Sequence, residues 1–179
     1  MLTATIYNFD IDLADQDRGV YETLALRVAR HPSESEEYLW TRVLAYALEF
    51  RDGIDFSRGG LSDPDEPAIS VRDLTGHVTS WIEVGAPDAA RLHKAAKAAP
   101  RVAVYTHKDP TQLLARLTAE RIHKSDGIEL YAFDRGFLGG LSPHLDRRVA
   151  FALSVMDREL YLSISDQTFT TRLTRHAIL

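Results

Sequence analysis

Apolar residues recur along this chain with two different periods, and the change from one to the other marks its elements. Over residues 3–13, Ala4, Ile6, Phe9 and Ile11 are scattered among polar neighbours in a strand-like pattern. Ala14-Asp15-Gln16-Asp17-Arg18-Gly19 carries turn chemistry, and Leu24, Leu26 and Val28 then repeat at period two. The segment 3–30 reads as a β-hairpin, although its Leu, Ala and Arg content also admits a helix over 20–30. Trp40, Val43, Leu44, Ala47 and Phe50 follow at helical spacing, behind Ser33 as N-cap and Glu36 three residues on. This predicts a helix over about 34–50, with His31 orienting the chain as it enters.

Three strands are expected next, at 54–57, 67–73 and 78–85, the last two joined by a turn at Leu74-Thr75-Gly76-His77. Pro87 opens a second helix that ends before Pro100. Arg101-Val102-Ala103-Val104-Tyr105 reads as a buried strand. The order over residues 33–106 is α-β-β-β-α-β. A helix at about 110–121, a strand near 127–133, a Gly-rich stretch at Gly136, Gly139 and Gly140, and three β segments between Arg148 and Arg172 complete the chain. Turns fall near Asp157-Arg158 and Asp166-Gln167. The whole of 1–179 is read as one α/β (α+β) domain. Its N-terminal hairpin (3–30) and C-terminal strands (127–175) are expected to pair as an antiparallel extension of the core.

Composition narrows the chemistry. The chain has 179 residues, enough for a hydrophobic core, with 45% apolar and 26% charged residues. It contains no cysteine, which excludes disulfides, thiolate zinc sites and a cysteine nucleophile. No signal peptide is recognisable and no apolar run approaches the ~18 residues that span a bilayer, so a cytoplasmic location is expected. The net charge of −5 means that any contact with a nucleic-acid backbone must come from a local patch. The seven histidines lack metal-ligand spacing, the glycines match no phosphate-binding loop, and no nucleophile elbow is present.

One hairpin carries candidate chemistry. If Asp73 pairs with Val78, Ala68 lies opposite Glu83 and Val71 opposite Ser80. Ile69, Val71, Ile82 and Val84 then share a core face. Ala68, Ser70, Arg72, Thr79, Trp81 and Glu83 share the other, and Glu66 falls on that second face. Diagonal neighbours across strands lie roughly 7–8 Å apart, so Glu66 and Glu83 are placed to converge on one hard cation, with Asp65 replacing Glu66 if the register slips by one. Mg²⁺ takes one or two carboxylates together with waters and phosphate oxygens. Arg91 and Lys94, at i and i+3 on the second helix, would bring positive charge to the same place. The same acids and cations also fit an ordinary solvated surface.

These residues resemble the YaeQ family of bacterial proteins. The likeness is carried by Ala-Thr-Ile-Tyr at 4–7, by Ala29-Arg30-His31-Pro32-Ser33-Glu34, and by Phe56-Ser57-Arg58-Gly59. It continues through Asp65-Glu66-Pro67, Trp81-Ile82-Glu83-Val84-Gly85, Pro87-Asp88, Arg91 and Lys94-Ala95. The resemblance implies a PD-(D/E)XK nuclease-like αβββαβ core. Glu66 (or Asp65) and Glu83 would be the metal-binding acids, with Mg²⁺ or Mn²⁺ as cofactor and nucleic acid as partner. It adds Glu37 on the first helix as a further acid. Gly85 occupies the slot of the E-x-K lysine. Either Lys94 or Arg91 supplies the cation from the helix, or the fold serves as a binding module for nucleic acid or protein without turnover. Arg58 suits a phosphate contact or a surface ion pair. Trp81 suits base stacking or packing beneath the first helix.

Overall fold

The computed structural model describes residues 3–58 and 65–178. Gly59 and Gly60 of the Ser-Arg-Gly-Gly segment lie outside the described residues. The chain forms two compact units: residues 1–48 with 133–174, and residues 49–132 with 175–179. Each is a mixed sheet with helices.

In the first unit, β1 (Thr5–Asp15) and β2 (Val20–Arg30) form the expected antiparallel hairpin. The hydrophobic alternation of β2 wins over its helix-forming residues because Leu24, Leu26 and Val28 are all buried on one sheet face. The reversal uses Gly19 at φ 67° and an Asp15 carboxylate that accepts the Arg18 main-chain N–H at 3.2 Å and its Nε at 2.7 Å.

Helix α1 (Glu36–Leu48) belongs to this unit. Its cap is Ser35 and not Ser33: the Ser35 hydroxyl accepts from the Tyr38 N–H at 3.0 Å, whereas the Ser33 hydroxyl pairs with His31 Nδ1 at 2.7 Å. His31 does help shape the approach to the helix, as expected. Trp40 is fully buried, edge-on to Phe9 at 5.6 Å between ring centroids and tilted against Phe151 at 5.8 Å. Truncating it to alanine would cost about 3–5 kcal/mol.

The Gly-rich stretch is a short helix, α4 (Arg135–Leu141), capped by Asp134. Strands β8 (Arg148–Met156), β9 (Glu159–Ile164) and β10 (Gln167–Arg172) complete a sheet ordered β10-β9-β8-β1-β2. The C-terminal strands do pair with the N-terminal hairpin, but the junction of β1 with β8 is parallel, contrary to the antiparallel expectation. The long connection between these two strands permits that direction, which a tight turn would not.

The second unit holds a sheet ordered β11-β7-β6-β5-β4-β3. Its strands are β3 (Ile54–Phe56), β4 (Ile69–Arg72), β5 (Val78–Val84), β6 (Arg101–Thr106), β7 (Glu129–Ala132) and β11 (Thr174–His176). β3, β4 and β5 run antiparallel, while β5, β6 and β7 are parallel. Helix α2 (Ala89–Ala98) makes the crossover from β5 to β6, and α3 (Pro110–Thr118) follows β6 with Pro110 in its first turn behind the Asp109 cap. The α-β-β-β-α-β element order is thus present from α1 to β6. One sheet face packs against α2 and α3 through Trp81, Val102, Val104 and Leu130 on the strands and Leu92, Ala95, Leu113 and Leu117 on the helices.

The β4–β5 register holds at Val71↔Ser80 and Ile69↔Ile82. A bulge between Val71 and Arg72 then sets Arg72 against Val78, so Asp73 does not pair with Val78. Asp73 instead closes the turn, accepting the N–H groups of Thr75 at 2.9 Å and His77 at 3.0 Å. Gly53 supports this edge at φ +91°. A Cβ there would stand 2.1 Å from the Arg72 carbonyl oxygen, so only glycine fits.

Candidate functional site

The site lies within the second unit, where β5 runs out and α2 begins. Alternation along β5 places Trp81 and Glu83 on the face that α2 covers. That face is not open to solvent: the Glu83 residue is 4% exposed and Trp81 is likewise buried. Trp81 packs against α2 and not under α1, because Leu92 and Ala95 present the apolar side of α2 to it. Its indole Nε1 donates to Glu83 Oε1 at 2.6 Å, which supplies a partner for a ring N–H that burial would otherwise strand.

Asp88 caps α2 by accepting the Arg91 N–H at 2.8 Å. Capping fixes the first turn and aims the Arg91 side chain back at the end of β5. Its Nε donates to Glu83 Oε2 at 2.7 Å, and its Nη2 donates to the Glu66 carbonyl oxygen at 2.7 Å. One guanidinium therefore ties the acid of β5 to the main chain of the other predicted acid, which lies 25 residues before Arg91 in sequence. A buried carboxylate paired in this way avoids the cost of an uncompensated charge. One turn on, Lys94 forms an ion pair with Asp65, both side chains being exposed. The Lys94 ammonium holds the Asp65 carboxyl below the ordinary carboxylate range, by hydrogen bonding and by charge.

The Glu66 carboxylate accepts from the Ser57 hydroxyl at 2.9 Å and from the Arg58 main-chain N–H at 3.2 Å. Six of the seven residues expected at the site, Glu66, Glu83, Asp65, Arg58, Arg91 and Lys94, are thus linked to one another in pairs. The seventh, Glu37, belongs to the first unit, in the first turn of α1, where it is exposed and its carbonyl oxygen accepts from Thr41 Oγ1 at 2.7 Å. Gly85, in the slot of the missing lysine, has φ 96° and donates its N–H to the Tyr105 carbonyl at 2.9 Å. The left-handed conformation suits glycine over a lysine at that position.

Among the described residues no group of three or more His, Asp or Glu side chains is assembled for a metal. Glu83 and Glu66 offer hard carboxylate oxygens of the kind Mg²⁺ takes with waters and phosphate oxygens, but the link between them runs through Arg91 and the Glu66 main-chain carbonyl, and the Glu66 carboxylate is held by Ser57 and Arg58. A carboxylate has about four lone-pair positions, and the hydrogen bonds from Trp81 and Arg91 take one on each oxygen of Glu83.

Two further groups escaped the sequence reading. Ser57 holds Glu66, and nothing in the local pattern distinguishes it from any other loop serine. Arg101, at the start of β6, binds Glu49 and Glu129 on the other face of the same sheet. Their separations of 52 and 28 residues leave no local signal.

Residues 1–173 match the sequence model of the family described as YaeQ protein. The chain is 32% identical to the uncharacterised protein YaeQ of Salmonella typhi over 174 residues, covering 97% of this chain and 96% of that protein. It is 30% identical to the uncharacterised protein YaeQ of Escherichia coli K12 over the same share of each. Among solved structures, the crystal structure of YaeQ protein from Pseudomonas syringae is similar with a TM-score of 0.87 at 30% identity, over 96% of this chain and 95% of that one. That of YaeQ protein from Xanthomonas axonopodis pv. citri is similar with a TM-score of 0.85 at 30% identity, over 98% of each. No helix of the described residues is long and apolar enough to cross a membrane.

Proposed function

We propose, from the premise that this chain belongs to the YaeQ family, that it is a metal-dependent phosphodiesterase acting on nucleic acid, built on a PD-(D/E)XK nuclease-like core. One observation carries the reading: Arg91 bonds the Glu83 carboxylate and the Glu66 main chain at once, tying a cation of α2 to one predicted acid and to the backbone of the other. In this reading Glu66 and Glu83 hold Mg²⁺ or Mn²⁺, and Asp65 assists. When bound, the ion supplies an activated water and neutralises charge on the transferring phosphoryl group. Arg91 and Lys94 stand in for the lysine that Gly85 replaces, each turning from its carboxylate partner toward the phosphate oxygens. Arg58 contacts a phosphate from the loop before β4. Trp81 orients the Glu83 carboxylate through its indole N–H and is too buried to stack on a base.

The test is cleavage of labelled DNA and RNA by the purified protein in Mn²⁺ or Mg²⁺, set beside Glu83→Gln. Activity in the parent and its loss in the variant are expected. No cleavage of any substrate by the parent overturns the enzyme reading.

A second reading, a nuclease-like fold that binds nucleic acid or protein without turnover, has an observation in its favour. Asp65 and Glu83 are each already neutralised by a cation of α2. Isothermal titration with Mn²⁺ separates the two readings: no heat of binding, with nucleic-acid affinity that ignores Glu83→Gln, selects the binding module.

A further inference from the structure

Beside Glu66, at the β3–β4 edge of the second-unit sheet, lies a cavity of about 320 Å³ of whose lining the scheme above uses only Glu66 and Arg58. Cross-strand pairing explains its lining. Asp55 stands opposite Ser70, and Arg72 follows Ser70 on the same side of β4 by alternation. Arg58 closes the cavity from the loop, and Phe56 and Pro67 give it apolar walls. The volume is at the small end of the range for ligand sites, roughly 300–1,000 Å³.

The lining chemistry selects among ligands. Among the described residues of the lining, Arg58 and Arg72 bring two guanidinium groups and Asp55 and Glu66 bring two carboxylates, so their charges balance. A neutral lining gives a bare inorganic anion little net attraction. It suits a ligand that is itself divided, with an anionic phosphate at one end and hydrogen-bond donors at the other. A nucleotide is such a ligand, since its phosphate meets guanidinium groups and its base amino groups and sugar hydroxyls meet carboxylate and serine oxygens. Arg58, Arg72 and Asp55 keep atoms for this. Among the described residues the Arg58 guanidinium makes no hydrogen bond of its own, and Arg72 uses only Nη1, on the Gly76 carbonyl at 3.0 Å. Asp55 uses only one carboxylate oxygen, on the Phe56 N–H at 3.1 Å.

We infer that this cavity receives one unpaired nucleotide of the substrate, immediately beside the phosphodiester held at Glu66 and Glu83, which makes the substrate class single-stranded or unpaired nucleic acid. The inference rests on the phosphodiesterase reading for its orientation and adds the substrate class to it. A stacked, paired base has no route into an enclosure of this size, whereas an unpaired one brings its edge and its phosphate to the walls together.

The experiment is fluorescence anisotropy with the full chain in EDTA, using a 12-nucleotide labelled single strand and the blunt duplex of the same sequence, with AMP as competitor. The strand should bind at least about tenfold more tightly than the duplex, and AMP should displace it. Arg58→Gln, an exposed change that leaves the packing alone, and Arg72→Gln should each weaken the strand by about tenfold, the value of one charged hydrogen bond. Equal affinity for strand and duplex overturns the inference, and so does a strand affinity that neither substitution alters or that AMP does not compete. A parallel cleavage assay in Mn²⁺ keeps the two claims apart. Strand binding as described with no cleavage overturns the phosphodiesterase reading and leaves the cavity assigned. Cleavage with both arginine variants binding like the parent overturns the assignment and leaves the phosphodiesterase reading standing.

Discussion

Two guanidinium–carboxylate clusters occupy opposite faces of the second-unit sheet, and they are built on different plans. On one face Arg101 grips Glu49 through Nη1 and Nη2, both at 2.9 Å, and Glu129 through Nε at 2.8 Å. Tyr105 adds a hydroxyl to Glu49 at 3.0 Å and Tyr131 adds one to Glu129 at 2.6 Å, their rings stacked at 5.0 Å. On the other face, Arg91 spends one nitrogen on Glu83 and another on a main-chain carbonyl, and its neighbour Lys94 reaches an exposed aspartate. The first cluster joins residues of β6 and β7 to Glu49, in the turn after α1. The second hangs from the first turns of α2, and its outer pair, Lys94 with Asp65, is exposed on both sides. A buried network of this kind mainly holds a fold together, whereas an exposed ion pair adds little to stability.

Breaking the Arg101 cluster should do the most damage. Arg101→Met strands the buried Glu49 carboxylate and should cost about 3 kcal/mol of stability, read from urea denaturation. A loss below about 1 kcal/mol would show that the network contributes less than its geometry implies. Glu83→Gln comes next. Gln keeps the shape and still accepts from Trp81 or Arg91, so about 1–2 kcal/mol is expected in the same measurement, alongside the lost cleavage.

Alkaline pH sharpens the contrast. Burial, then the Glu129 hydrogen bond, push the Tyr131 phenol up to about 12, and burial followed by the Glu49 charge pushes Tyr105 up as well. A phenol with a raised folded-state pKa gives stability that is full below the unfolded value of ~10 and lost as pH rises through the folded one. Thermal midpoints should therefore fall between about pH 10 and 12, and Tyr131→Phe should flatten that limb. A variant limb as steep as the parent's would assign the loss elsewhere. In acid the same cluster behaves oppositely. Burial raises the Glu129 pKa, but the Arg101 and Tyr131 hydrogen bonds outweigh it and leave it lowered, so its contribution fades as pH falls below about 4.5.

The smallest effect belongs to Lys94→Gln. Its partner Asp65 is fully exposed, so the thermal midpoint should not move. Cleavage should nevertheless drop by about tenfold or more if Lys94 reaches the phosphate. An unchanged rate would remove Lys94 from the site and leave Arg91 as its cation.

Much of this architecture was legible in the residue pattern because it rests on local rules. Period two marked β1, β2, β4 and β5, helical spacing marked α1, Pro87 marked the start of α2, and the Val71↔Ser80 register followed from antiparallel pairing across the turn, although the assumed Asp73–Val78 pair is not formed. Six of the seven expected site residues are linked because they flank one hairpin and one helix turn, within reach of each other along the chain. What escaped depends on distant partners. Whether β1 met β8 in parallel, whether Trp81 packed on α1 or α2, and which unit received Glu37 are decided by how whole elements stack. The bulge at Arg72 and the grip of Arg101 on Glu49 belong to the same class. Periodicity tells a residue which way to face. Only the packed chain decides what it faces, because burial makes each buried charge and polar group find a partner wherever the fold has placed one.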